Sequence, residues 1–411
     1  MNFILAALIS ALLTCLPFQA GAQGSFFIGN IPLPEDARVS ENEDSPFLGV
    51  WVGKWDGWRN HILIVERIKE NNLAEVIYAA GSEHNGKGNW LRLEAKIVGD
   101  TLVTTDKGFP VSYHLSATGR LRGVFGNNAR FAVLERHDFS TLKAAPKKDW
   151  FSIGDLQRLD TDLVEDGLAI GLSSVIYRPK GDGPFPLALI HHGSTGTGKQ
   201  PIWFKTLWSN DWLADVLNEH GWIAAFPQRR GRGGSDGLYD EGFARDRTQG
   251  YAKDAAISLR GADRALEDAN AALASLRQLP IVRADMVLLA GVSRGGVVAI
   301  LQAGQNPDDV AGVINFVGGW VSEGCCDGAI NPVLFRRIGS FQGPILSIYG
   351  KDDDHYSIEH IKSNLAEMDK LGAQSEVLIV EVPGYRKGHW VSTHPNLWQE
   401  VLRDYLASIP R

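Results

Sequence analysis

The chain has 411 residues, enough for two or three domains at roughly 100 to 200 residues each. With 44% hydrophobic and 22% charged residues it has a folding composition, which excludes intrinsic disorder and a fibrous repeat. Forty-one basic against 48 acidic side chains leave a net charge of −7, so no global positive field exists to gather nucleic acid or an anionic membrane surface, and small molecules or polymers are the expected partners.

Residues 3–16 are almost wholly apolar, Pro17 breaks the run, and Ala20-Gly21-Ala22 supplies the small residues that a signal peptidase needs before Gln23. Residues 1–22 therefore read as a cleaved secretory signal, although they contain no Lys or Arg. The apolar stretch is too short to span a bilayer, which takes about 20 residues. Leu12-Leu13-Thr14-Cys15 hints at a lipoprotein site, but Thr14 is large for that cleavage and Cys15 sits inside the apolar run. The expectation is a secreted or periplasmic chain with no stable membrane insertion after cleavage. Removing the signal leaves only Cys325 and Cys326, which could close a strained vicinal disulfide or stay reduced, so no disulfide framework holds the fold.

From residue 46 to 140 the pattern is short strands: FLGVWVGKW, HILIVERI, AEVIYAAG, WLRLEAKIV, TLVTTD, VSYHL, LRGVF and ARFAVLER, separated by Asn-Gly, Gly-Asp, Thr-Gly and Gly-Asn turns. Even spacing without helical segments predicts an antiparallel barrel or sandwich. Gly49-Val50-Trp51 resembles the G-x-W of lipocalin-like barrels. Trp51, Gly53 and Trp55 share one face, because strand side chains alternate, and the two tryptophans are candidates for core or for a sugar or lipid site.

After a polar join at residues 141–148 the pattern changes, and residues 150–411 predict an α/β domain. LALIHH, WIAAF, MVLLAG, VINFV, ILSIY and EVLIVEV are short apolar runs of the kind covered on both faces. Helical segments are expected at Trp203 to His220, Lys253 to Gln278, Arg294 to Gln305, Ser357 to Leu371 and Asn396 to Ser408. Ahead of the sheet, Thr161 to Glu165 and Ala169 to Tyr177 flank Asp166-Gly167, a hairpin signal that puts antiparallel strands at one edge.

Gly291-Val292-Ser293-Arg294-Gly295-Gly296 follows the buried strand MVLLAG and opens the apolar helix VVAILQAG. This is the strand, sharp turn and helix that G-x-S-x-G requires, with small residues letting the backbone crowd around an exposed serine. A serine hydroxyl is a poor nucleophile at neutral pH, so it needs a base, and the base needs an orienting acid. Beyond the strand ILSIY comes the carboxylate run Asp352-Asp353-Asp354, and beyond EVLIVEV comes Gly388-His389, with His355, His360 and His394 as other histidines nearby. Neutral imidazole is the base whose pKa suits the task.

At these residues the catalytic half resembles the α/β-hydrolase superfamily, and Ser293-Arg294-Gly295-Gly296 with Gly350-Lys351-Asp352-Asp353 looks like its dienelactone-hydrolase and prolyl-oligopeptidase-like branches. Gln228 to Gly237, QRRGRGGSDG, is similar to a loop of cocaine-esterase and X-prolyl-peptidase relatives. The resemblance implies Asp353 as the acid, with Asp352 and Asp354 as alternatives, and His389 as the base. It also implies an oxyanion hole from the amides of Arg294 and Ser194, the latter in the turn after His191-His192-Gly193. It makes the loop carrying Trp320, Cys325 and Cys326 a pocket-shaping lid.

Other features are weaker. Gly193 to Lys199 fits the start of a phosphate-cradling loop, but Gln200 lacks the magnesium-ligating hydroxyl and Pro201 disfavours helix at the residue before it. His191 and His192 point opposite ways if the strand reaches them, so no shared metal is expected, and the chemistry calls for no cofactor. Arg229, Arg230, Arg232 and Arg294 could receive an acidic acyl group or hold scaffold carboxylates, with Asp352 to Asp354 as natural partners. The expected activity is ester hydrolysis through an acyl-enzyme. The alternatives are a prolyl-oligopeptidase-like or X-prolyl peptidase, and an inactive hydrolase carrying a sugar- or lipid-binding module.

Overall fold

The computed structural model describes residues 25–41, 44–82, 88–106, 108–140, 153–383 and 387–410, so the expected signal at 1–22 and the polar join at 141–148 lie outside the described residues. The chain enters through a hairpin of β1 (Ser25–Ile28) and β2 (Ile31–Pro34). Next come β3 (Gly49–Trp55), β4 (Arg59–Ile68), β5 (Leu73–Ala80), β6 (Asn89–Val98), β7 (Thr101–Asp106), β8 (Phe109–Leu115), β9 (Leu121–Phe125) and β10 (Arg130–His137). Each pairs antiparallel with the next, and β10 closes on β3, making an up-and-down barrel with no free edge.

Alternation along the strands decides which side chains fill the barrel. Trp51, Trp55, Leu63, Val76 and Tyr113 point inward and are at most 1% exposed, so the two tryptophans of the shared face are core and not the walls of an open cavity. A Cβ on Gly53 would come within 2.1 Å of the Val133 carbonyl, so the missing side chain is what lets β3 and β10 meet between the tryptophans. The inward His61 places Nδ1 2.8 Å from the Ala79 carbonyl and Nε2 2.7 Å from the Tyr113 hydroxyl, and burial lowers its pKa to about 3. The hairpin β1–β2 lays Ile28, Ile31 and Leu33 against Val50, Ile62 and Ile64 on the barrel's outer surface.

The second layer system starts with β11 (Asp155–Glu165) and β12 (Leu168–Tyr177), joined by Asp166 and Gly167 at φ 50° and 77°. Strands β13 (Phe185–His191), β14 (Ile223–Gln228), β15 (Val282–Val292), β16 (Val310–Phe316), β17 (Ile345–Gly350) and β18 (Ser375–Val380) complete the sheet. Its order is β11-β12-β14-β13-β15-β16-β17-β18, parallel from β14 through β18, with the antiparallel hairpin at one edge. Helices α1 (Pro201–Lys205), α2 (Asp211–Glu219), α3 (Ala255–Leu276), α4 (Arg294–Gln305), α5 (Ile330–Phe335), α6 (Ile358–Asp369) and α7 (Gln399–Ser408) connect and cover the strands. This is an α/β-hydrolase fold preceded by an antiparallel β-barrel. No helix among the described residues is long and apolar enough to cross a membrane.

Two helices differ from expectation. The segment from Trp203 to His220 breaks between α1 and α2, because the Gln228 side chain bonds both the amide and the carbonyl of Trp208 at 2.8 and 2.9 Å, and Asn210 then caps α2 through the Leu213 amide at 3.0 Å. The last helix starts at Gln399, not Asn396, since Pro395–Leu397 forms a separate tight turn.

Barrel and sheet domain meet across a buried ion cluster. Asp215 of α2 is fully buried and accepts from Arg122 Nε at 2.7 Å, Arg120 Nη1 at 3.2 Å and Thr118 Oγ1 at 2.5 Å. Beside it the Phe131 ring of β10 stands edge-on to Trp212, their centroids 5.6 Å apart.

Candidate active site

Ser293 sits at the sharp turn between β15 and α4 with φ 57° and ψ −121°, a conformation that costs a non-glycine residue about 1 to 3 kcal/mol. The glycines around it are dictated by space. A Cβ on Gly291 would lie 2.1 Å from the Gly295 carbonyl carbon, and one on Gly295 would lie 2.1 Å from the His191 carbonyl oxygen. Removing those side chains lets α4 start so close to the sheet that Ser293 Oγ is lifted over its end.

The strand ends on the β16–β18 side deliver the partners. His389 Nε2 is 3.2 Å from Ser293 Oγ, and His389 Nδ1 is 2.9 Å from Asp353 Oδ2. A carboxylate only accepts, so Nδ1 carries the proton and Nε2 is left to accept from the serine hydroxyl. The Asp353 side chain is fully buried, and its other oxygen takes the His355 amide at 2.8 Å. Asp352 lies exposed in a turn at φ 53°, and Asp354 pairs with Lys387 at 2.5 Å on the surface. Among the alternative histidines, His355 contacts the His389 ring at 4.6 Å between centroids, His360 faces Asn331, and His394 packs against Phe131.

On the other flank of Ser293, the loop after β13 comes close: a Cβ built on Gly193 would lie 3.2 Å from Ser293 Cβ and 3.8 Å from its Oγ. The Ser194 amide follows that glycine, and the Arg294 amide opens α4, where a helix has no internal acceptor for it. Tyr251, which pattern reading does not single out, holds this loop. Its hydroxyl accepts from the Thr195 amide at 3.1 Å and lies 2.9 Å from Thr195 Oγ1.

The arginines correct the sequence expectation. Arg229 and Arg230 are 2% and 4% exposed; Arg229 is paired with Glu241, and Arg230 with Glu267 and with Asp268 at 2.5 Å. They are scaffold, and their carboxylates come from the segment after β14 and from α3 and not from the Asp352 to Asp354 run. Arg232 donates to the Gly193 carbonyl at 2.7 Å, and the Arg229 amide donates to His192 Nε2 at 3.1 Å, which braces the loop from beneath. His191 instead meets Gln302 at 2.9 Å, so the two histidines serve separate contacts. Burial and the Arg229 charge lower the His191 pKa to about 3 and push His192 well down.

Trp320 likewise is not an open wall. It is 2% exposed, its amide bonds Asn331 Oδ1 at 2.9 Å, its carbonyl accepts from Arg294 Nε at 2.9 Å, and its ring lies 4.5 Å under the Arg294 guanidinium carbon. Arg294 also donates to the Glu241 carbonyl at 2.9 Å. Cys325 and Cys326 form no disulfide, and Cys326 Sγ lies 3.1 Å from the Lys253 carbonyl.

Residues 177–381 match the dienelactone hydrolase family, a span that holds both Ser293 and Asp353. This part of the chain is a dienelactone hydrolase family domain. The enzyme is therefore a hydrolase. Est1E from Butyrivibrio proteoclasticus, solved with ferulic acid bound, is 17% identical to the chain, with 62% of this chain and 98% of that one covered at a TM-score of 0.44. The Pyrococcus furiosus esterase Pf2001 is 14% identical, with 62% and 90% covered at a TM-score of 0.43. Porphyromonas gingivalis dipeptidyl peptidase 4 is 14% identical, with 85% of this chain and 53% of that one covered at a TM-score of 0.46. No curated protein matches the chain. Within the dienelactone hydrolase domain, the match begins at the end of β12 and closes at the end of β18, just before His389.

Proposed function

We propose that the dienelactone hydrolase domain cleaves carboxylic esters in two acyl-transfer steps with Ser293 as nucleophile. The reading rests on one observation: a hydrogen-bonded chain running from Asp353 through both nitrogens of His389 to Ser293 Oγ. Ser293 attacks the ester carbonyl as His389 takes its proton, and Asp353 stabilises the imidazolium and keeps the tautomer. The amides of Arg294 and Ser194 take the negative charge that develops on the carbonyl oxygen; one such donor is worth about 3 to 4 kcal/mol in studied enzymes. The alcohol leaves with the proton from His389. Water then enters by the same route and releases the acid.

A fluorophosphonate probe tests this reading. Wild-type protein should be labelled and should turn over a p-nitrophenyl ester, and Ser293→Ala should lose both. Labelling that survives in Ser293→Ala would falsify it. Faster turnover of an aminoacyl anilide than of the ester would instead make the enzyme a peptidase. Export is part of the same proposal: mature protein recovered from outside the cytoplasm should begin at Gln23.

A further inference from the structure

The carbonyl of Gly193 and the amide of Ser194 are the two ends of one peptide group, and they meet different surroundings. Three nitrogens converge on the carbonyl oxygen: Arg232 Nη1 at 2.7 Å, His192 Nδ1 at 2.8 Å and Arg229 Nη2 at 3.4 Å. Neutral His192 carries its proton on Nδ1, because Nε2 accepts from the Arg229 amide, so all three are donors. Arg232 Nη1 lies 2.6 Å from that Nδ1, which shows how closely ring and guanidinium crowd onto the one oxygen. The Ser194 amide, in contrast, has no acceptor among the described residues. In a planar trans peptide N–H and C=O point opposite ways, so a carbonyl fixed against the guanidinium groups turns the amide away from them.

The charge behind this peptide is unbalanced. Arg229, Arg232 and Arg294 are all buried, and so is Glu241, the carboxylate between them. Glu241 Oε1 takes Arg229 Nε, and its Oε2 stands 3.6 Å from Arg294 Nη1. Asp268 is already paired with Arg230. Arg232 has no carboxylate in ion-pair reach among the described residues, and its buried Nε bonds nothing. Three guanidinium groups thus share one carboxylate. Burial pulls the Arg232 pKa below its ordinary value, as expected for a cation without a counter-charge of its own. A fold that carries such a charge directly behind an oxyanion donor recovers the cost when negative charge develops there.

We propose that Arg232 is a positioning residue for the oxyanion hole: through the Gly193 carbonyl its charge aims the Ser194 amide and strengthens it as a donor to the tetrahedral intermediates. This deepens the serine-hydrolase reading and rests on it. A cation on the carbonyl draws electron density along the conjugated peptide and leaves the N–H a better donor, the cooperativity expected of linked hydrogen bonds. The same charge attracts the oxyanion across the peptide, in a setting where water screens little. The neutral carbonyl of a bound ester gains little from either effect, so Arg232 acts on kcat and not on KM. Burial and the charges of Arg229 and Arg232 push the His192 pKa well down, so that ring supports the same carbonyl without adding charge.

Two variants separate charge from hydrogen bonding. Arg232→Lys keeps a cation, and Arg232→Gln keeps an N–H donor without charge. On a p-nitrophenyl ester Arg232→Gln should lower kcat about tenfold with KM nearly unchanged, the worth of a hydrogen bond to a charged group, and Arg232→Lys should recover most of that loss. Phenyl trifluoromethyl ketone gives a second readout: Ser293 Oγ bonds to its carbonyl carbon, the serine proton passes to His389, and the carbonyl oxygen becomes an alkoxide in the oxyanion hole. Its inhibition constant should rise in Arg232→Gln by the factor that kcat/KM falls, and return towards the wild-type value in Arg232→Lys. Rates are counted per Ser293 labelled by fluorophosphonate, so unfolded protein drops out of the comparison. Equal kinetics in the wild type and Arg232→Gln, equal losses in both variants, or an unchanged inhibition constant overturns the role of Arg232 alone. A wild type whose Ser293 takes no fluorophosphonate overturns the serine-hydrolase reading, and this inference with it.

Discussion

The guanidinium carbon of Arg294 lies 3.8 Å from the centre of the Tyr251 ring, while the hydroxyl of that ring is bonded to Thr195. One side chain thus clasps Arg294, the residue after Ser293, and the loop that carries the Ser194 amide. Tyr251→Phe keeps the cation–π contact and removes the bonds to Thr195. It should lower kcat about tenfold, one hydrogen bond's worth, and leave KM nearly unchanged, because in the proposed mechanism the loop's amide serves the transition state more than the substrate. Steady-state kinetics decides it; an unaltered kcat means that Arg232 beneath Gly193 suffices to hold the loop.

The three adjacent carboxylates give an internal control. Asp353→Asn places an amide against His389 Nδ1 and favours the wrong imidazole tautomer, so kcat should fall by about 10⁴ if the triad logic holds. Asp352→Asn and Asp354→Asn alter an exposed turn and a surface ion pair, and should leave kcat within about twofold. Three single variants assayed on one ester check this, and a large loss at either neighbour contradicts the assignment.

Why these positions were legible in sequence is physical. Ser293 sits in a motif whose strand, turn and helix are all local, and Asp353 and His389 follow strands whose apolar runs are unmistakable. The barrel was legible for the same reason, since alternation is a nearest-neighbour property. What failed was partnership at a distance. Arg229 and Arg230 look like pocket charges until Glu241, Glu267 and Asp268 are folded onto them. The first half of β11, from Asp155, also escapes pattern reading: it is an edge strand whose Leu156 is 56% exposed, so no apolar face marks it.

Stability should depend on pH through imidazoles buried in neutral form. His61 and His191 have folded pKa values of about 3, and His192 lies well below its usual value, against an unfolded value near 6.5. Below about pH 6.5 the unfolded chain binds protons that the folded chain refuses. Their contribution is whole above that pH and falls on acidification, by up to about 1.4 kcal/mol per pH unit for each group. Asp268 opposes this: burial raises it to about 6, so from about pH 6 down to 4 the folded state binds its proton first. Asp211 and Glu135, also raised by burial, oppose it too, while His355 and His360, lowered by burial, add to it. Five imidazoles outweigh three carboxyls, and urea midpoints should drop steadily from about pH 6.5 to 4.5. His191→Gln should make that slope shallower by about one proton; an unchanged slope would show that the ring is protonated in the folded enzyme.

The ion cluster at Asp215 should make barrel and hydrolase domain melt as one. Asp215→Ala leaves Arg120 and Arg122 buried, 9% and 4% exposed, without the carboxylate between them. Arg122 keeps Glu219 at 3.0 Å and Arg120 keeps the Asn218 side chain at 2.8 Å, but each loses its most buried counter-charge. Stranding one partner of a buried pair costs about 3 to 5 kcal/mol, a large share of the 5 to 15 kcal/mol by which domains of this kind are stable. Glu135→Ala is the matched control, since that carboxylate is 41% exposed and stands 3.6 Å from Arg120, where a pair is worth at most about 1 kcal/mol. Calorimetry should show one transition for the wild type and for Glu135→Ala, and an earlier or split transition for Asp215→Ala. If Asp215→Ala melts with the wild type, the contact between Phe131 and Trp212 carries the junction and the charges are incidental to it.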